Sequence, residues 1–175
     1  INRDFIGRTY EFETPYQVGR EKVREFATAI GDQNPLYHNV EAAQAAGHRD
    51  LIAPPTFPFV ITYRAMIGAM GDPELNLNYA MVVHGEQKFT YSRPLYAGDE
   101  VVVDSVVADI SVIGRNELLT MEQHVKTLDG ELIVTTDADC IPGRDWLNSI
   151  AAFKEEKQAV FIAAPVVFSH NQSIL

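Results

Sequence analysis

The chain has 175 residues, 46% apolar and 22% charged, which suits one globular domain with a core of its own. A net charge of −10 argues against a nucleic acid or an anionic membrane as partner, because phosphate contacts need clustered Lys and Arg. The single cysteine, Cys140, excludes an intrachain disulfide, no run approaches the ~18 apolar residues of a membrane span, and the opening INRDFIGRTYEF lacks a signal peptide's apolar core, so the expected location is the cytoplasm.

Residues 17–30 read as an amphipathic helix, with Val23, Phe26, Ala27 and Ile30 at i, i+3, i+4, i+7 spacing and Gly31 as its stop. After the polar connection GDQNPLYH (31–38), residues 39–46 read as a short helix capped by Asn39 and ended by Gly47. A longer helix follows over 57–70, with Thr56 as its cap and Pro58 in its first turn. It is apolar nearly all round, which predicts a buried helix with Tyr63 and Arg64 reaching an edge. From residue 81 the pattern is β-rich over 81–91, 100–113, 117–127 and 131–136, with turns at 93–99, 114–116 and 128–130. Strands that follow one another directly are most simply antiparallel, so the order predicts an α+β fold whose sheet covers the buried helix.

The connection GDQNPLYH holds a carboxylate (Asp32), an amide (Asn34), a phenol (Tyr37) and an imidazole (His38). On the residues alone it reads either as an acid/base site or as a polar turn in which Asp32 and Asn34 act as turn and cap residues. His84 in VVHGEQ, with Gly85 beside it, either faces such a site or is an ordinary strand histidine. Arg93 and Asp99 frame a structural turn, and His48, His124 and His170 read as surface groups. The absence of CxxC or Cys/His clusters argues against a structural zinc site.

The strings at 16–47, LIAPPTFPFVI (51–61), VVHGEQKFTYSRPLYAGDEV (82–101) and DGELIV (129–134) together resemble the MaoC-like hotdog-fold dehydratases. The likeness covers residues 1–134 and is nearest to the actinobacterial (3R)-hydroxyacyl-ACP dehydratase subunits of fatty-acid and mycolic-acid synthesis. The resemblance implies a hotdog fold over residues 1–136, with the site at the interface of a homodimer or of a heterodimer with a catalytic hotdog subunit. It implies hydration of an enoyl thioester, or dehydration of a 3-hydroxyacyl thioester, on CoA or acyl carrier protein, with no cofactor or metal. The family motif runs Gly-Asp-x-Asn-Pro-Leu/Ile-His. Gly31, Asp32, Asn34, Pro35 and Leu36 match it, but Tyr37 stands where the histidine belongs and His38 follows one residue late. The implied catalytic group is therefore Asp32, Asn34 and either Tyr37 or His38. Thr56, Phe57, His84 and Gly85 are the implied substrate-binding residues. A phenol near its ordinary pKa of about 10 is a poor base at neutral pH, so the same fold without chemistry, an acyl-thioester-binding module or silent subunit, is the alternative.

Residues 137–175 depart from this pattern. TTDADCIPG followed by a helical face of Trp146, Ile150 and Phe153 and the apolar run 159–168 resembles a fragment of a family 2 glycosyltransferase. That resemblance implies a join between two parents and a metal-binding pair at a strand end, Asp137 and Asp139, holding a nucleotide-sugar diphosphate.

Overall fold

A computed structural model describes residues 1–114, 116–140 and 167–168. Helix α1 (Arg20–Ala29) buries Val23 and Ala27, two of the four residues whose spacing predicts it. It ends at Gly31, whose φ is 76°. The Gly31 and Asp32 N–H groups turn back onto the Thr28 and Ala27 carbonyls at 3.1 and 2.9 Å. This left-handed stop suits glycine and directs the chain into Asp32. One helical turn, α2 (Pro35–His38), follows, then α3 (Val40–Ala45). Asn39 caps α3 as expected, accepting the Ala42 N–H at 3.1 Å.

Helix α4 (Pro58–Met70) begins on its proline, but the capping position is held by Phe57 with no side-chain bond, so Thr56 does not cap it. Nor is α4 buried all round. Ile61, Ala65, Met66, Ala69 and Met70 are buried, while Phe59, Tyr63 and Ile67 are 36, 42 and 39% exposed. The reason is coverage: β1 (Thr9–Gln17), β3 (Glu100–Ile113) and β4 (Asn116–Thr127) pack against the helix and leave its far side open.

With β2 (His84–Tyr91) and β5 (Leu132–Cys140), these strands form an antiparallel sheet in the order β1-β3-β4-β5-β2. A two-residue strand, β6 (Val167–Phe168), lies parallel on β2 beside Lys88 and Phe89. Strand β1 is not among the strands expected from the sequence. It holds Pro15, and its register on β3 shifts between Phe12 and Tyr16, as suits a proline that offers no N–H to an edge strand.

The strand expected over 131–136 continues to Cys140, so Asp137 and Asp139 both lie within β5, Asp139 one residue before its last described residue. Asp137 stands opposite Lys88 on one side and Glu122 on the other, in the middle of the sheet. Among the described residues, no group of three or more His, Cys, Asp and Glu is placed to hold a metal ion. The helical face of Trp146, Ile150 and Phe153, and His170, lie outside the described residues.

Two of the histidines read as surface groups are half-buried and bonded. His48 Nδ1 lies 3.2 Å from the Tyr96 hydroxyl, and His124 Nε2 donates to the Glu122 carboxylate at 2.7 Å. Asp99 is buried in its turn, where it accepts from Arg93 at 2.9 Å, from the Tyr96 N–H at 2.8 Å and from Arg49. Among the described residues, no helix is long and apolar enough to cross a membrane.

Candidate functional site

The turn after Gly31 is held by its own side chains. The Asp32 carboxylate accepts the Asn34 N–H at 3.0 Å, and the Asn34 side chain accepts the Leu36 N–H at 3.0 Å, which caps α2. Both residues therefore do the turn and cap work that their types favour.

Pro35 then starts α2 and commits Tyr37 and His38 to opposite fates. Tyr37 points inward and is 4% exposed, part of the core that includes Phe57, Leu51 and Phe89. Burial raises its pKa above the ordinary phenol value, the Asp32 charge adds to this, and the Asn34 amide opposes it. At neutral pH it is thus a proton donor and not a base. His38 stays half-buried. Its Nε2 lies 2.8 Å from the backbone carbonyl of Asp32. A carbonyl only accepts, so Nε2 carries the proton and Nδ1 holds the basic lone pair. That Nδ1 has no partner among the described residues. The imidazole is thus tied to the Asp32 backbone and not to its carboxylate.

Sequence reasoning missed Tyr91. Its hydroxyl donates to the Pro55 carbonyl at 2.7 Å. Burial pushes its phenol strongly upward, and the nearby Tyr37 adds to the shift. The signal was the alternation of KFTY, which puts Phe89 and Tyr91 on one face of β2. Tyr91 thereby ties β2 to the segment that leads into α4.

That segment sorts the two backbone candidates. The Phe57 N–H is committed to the Pro54 carbonyl at 2.8 Å, and the Phe59 and Val60 N–H groups to Thr56 and Phe57 at 3.2 and 2.9 Å. Phe57 is fully buried, edge-on to Phe26 at 5.4 Å between ring centroids, so it is a packing residue with no N–H to offer. Pro54, Pro55 and Pro58 have no N–H. The Thr56 N–H makes no hydrogen bond among the described residues and is the donor left at this end of α4.

His84 and Gly85 lie at the opposite end of β2, about 20 Å from Tyr91 along the strand. The exposed His84 ring stands edge-on to Phe59 at 5.9 Å. Within one chain Tyr91 bonds the 54–57 segment and stands near enough to Tyr37 to feel its charge, while His84 lies against Phe59 on the uncovered side of α4.

The antiparallel sheet around α4 is shared with solved structures. A C-terminally truncated HadBC (3R)-hydroxyacyl-ACP dehydratase complex from Mycobacterium tuberculosis matches with a TM-score of 0.73 at 23% identity, over 81% of this chain and 99% of that one. A MaoC-like dehydratase matches with a TM-score of 0.70 at 27% identity, over 98% of this chain and 51% of that one. The fold is the hotdog fold of hydratases and dehydratases. Residues 4–136 match the family described as FAS1-like, dehydratase domain region, and the chain belongs to that family. A UPF0336 protein of Parafrankia sp. is 53% identical over 137 residues, 76% of this chain and 88% of its own length. Another, from Streptomyces coelicolor, is 44% identical over 156 residues, 89% of this chain and 98% of its own length. A match of that extent cannot fit before residue 136, so it enters the tail.

Proposed function

We propose that this chain is the acyl-binding, non-catalytic subunit of a heteromeric (3R)-hydroxyacyl-thioester dehydratase, working on acyl-CoA or acyl carrier protein beside a hotdog subunit with an intact Asp/His pair. The observation that carries this is Tyr37. In the ungapped reading of the motif it stands at the position of the family's histidine; it is buried, and its phenol holds its proton more tightly than usual. Dehydration needs a base for the proton beside the thioester carbonyl and an acid for the leaving hydroxyl. Among the described residues, no imidazole bonds the Asp32 carboxylate to share that work. What the chain retains is the binding half of the chemistry: a Thr56 N–H, without a hydrogen bond among the described residues, for the thioester oxygen at the positive end of α4.

The open side of α4 supports the partner. Phe59, Tyr63 and Ile67 recur every four residues and make one exposed apolar stripe, with His84 at its margin. The HadBC neighbour is itself described as a complex.

The test is hydration of a short enoyl-CoA, followed as loss of the enoyl absorbance. The chain alone gives no turnover, and Tyr37→His, which restores the family motif, gives measurable turnover. Turnover by the unaltered chain that disappears in His38→Ala would assign the base to His38 and refute the silent-subunit reading.

A further inference from the structure

We infer that Tyr91 and Gln123 are positioning residues that hold the N-terminal segment of α4 from two different strands, and so fix where the Thr56 N–H points. This inference rests on the acyl-thioester reading above and adds two residues to it.

The segment's backbone bonds bracket Thr56 but leave its own peptide to be held from outside. Its cap makes no side-chain bond, and three prolines, Pro54, Pro55 and Pro58, remove backbone donors around Thr56. Two side chains from the sheet supply what is missing. On one side of Thr56, the Tyr91 hydroxyl of β2 donates to the Pro55 carbonyl at 2.7 Å. On the other, Gln123 of β4 donates through Nε2 to the Thr62 carbonyl at 2.9 Å and to the Ser105 hydroxyl at 2.8 Å.

Gln123 is 1% exposed, in a strand whose neighbouring inward residues are Met121 and Val125. An amide is an expensive choice at such a position, because a buried polar group is unfavourable unless its bonds are made. Its amide spans from the β3 side chain of Ser105 to the backbone of α4, and that backbone carbonyl lies in the second turn of the helix. Thr62 adds its own bond to the Pro58 carbonyl at 3.0 Å, which ties that turn to the first residue of the helix. Apolar packing of Phe57 sets depth but not rotation, because dispersion is non-directional; the two hydrogen bonds set direction. Both anchors act on backbone carbonyls and neither requires contact with the acyl group.

The experiment uses the full chain with its catalytic partner and the variants Tyr91→Phe and Gln123→Met, each of which keeps the volume of the side chain. Two readouts are taken: amide hydrogen exchange at Phe57, Phe59 and Val60, and the carbonyl stretch of a bound enoyl-pantetheine thioester. The expected result is at least tenfold faster exchange at these amides, with a smaller downshift of the thioester carbonyl than in the unaltered protein. Unchanged exchange in Tyr91→Phe overturns the inference, as does faster exchange with an unchanged carbonyl stretch. An unaltered chain whose complex binds no thioester refutes the acyl-thioester reading instead, and the exchange rates then decide the anchoring role alone. Tyr91→Phe keeps the test decisive if Gln123→Met fails to fold.

Discussion

Burial raises the cost of ionising both Tyr37 and Tyr91; the Asp32 charge adds to it at Tyr37, and the nearby Tyr37 adds to it at Tyr91. Both hold their protons more tightly folded than free. The sign follows from linkage: a raised folded-state pKa contributes stability that is complete below the unfolded value, about 10 for a phenol, and is lost as pH rises through the folded value. Unfolding free energy measured by urea titration is therefore expected to fall on the alkaline side of about pH 10, with phenolate absorbance appearing as the protein unfolds. Tyr91→Phe removes the larger contribution and flattens that alkaline slope. An unchanged slope would mean that Tyr91 is no more protected when folded than when free. At neutral pH the same environment keeps Tyr37 protonated, which is why its position in the motif matters for function.

Helix α4 and strand β1 meet at Gly68. A Cβ there would stand 2.7 Å from the Phe12 ring, so the ring lies directly on the helix backbone. Gly68→Val is expected to push Phe12 outward and destabilise the fold by about 1–3 kcal/mol, as overpacking does, read as a lower urea midpoint. Phe12→Ala in the same chain should relieve part of that loss. The sequence signals were uneven at this scale. The periodic spacing in α1, the Asn39 cap, Pro58 in the first turn of α4 and the run 100–113 were legible because each depends on local chemistry. Strand β1 was not, because its bulge at Pro15 breaks the alternation that marks a strand. The exposed stripe of α4 was also hidden. An apolar helix says nothing of how far a sheet reaches around it, and here β1, β3 and β4 cover one side alone. The turn at 31–38 was recognisable by its motif, yet the opposite orientations of Tyr37 and His38 come from α2, a single turn that has no periodicity to read. Tyr91 became visible only once its partner, the Pro55 carbonyl, was placed in space.

At the scale of the whole molecule, the proposed function separates binding elements from chemical ones. The chain has the hotdog sheet, a family match over residues 4–136, and a Thr56 N–H with no hydrogen bond among the described residues, but its Asp32 carboxylate and His38 imidazole do not meet. On the function proposed above, a second subunit completes the chain, and the apolar stripe of Phe59, Tyr63 and Ile67 is the surface on which we place it. The most direct measurement is hydration of an enoyl thioester by this chain alone, by a hotdog subunit of the same genome with Asp and His at both motif positions, and by the two mixed. The account predicts negligible turnover by this chain, strong turnover by the mixture, and loss of the gain when Ile67→Glu is placed on the stripe. Equal turnover by the catalytic subunit with and without this chain, or full turnover by this chain alone, would contradict it.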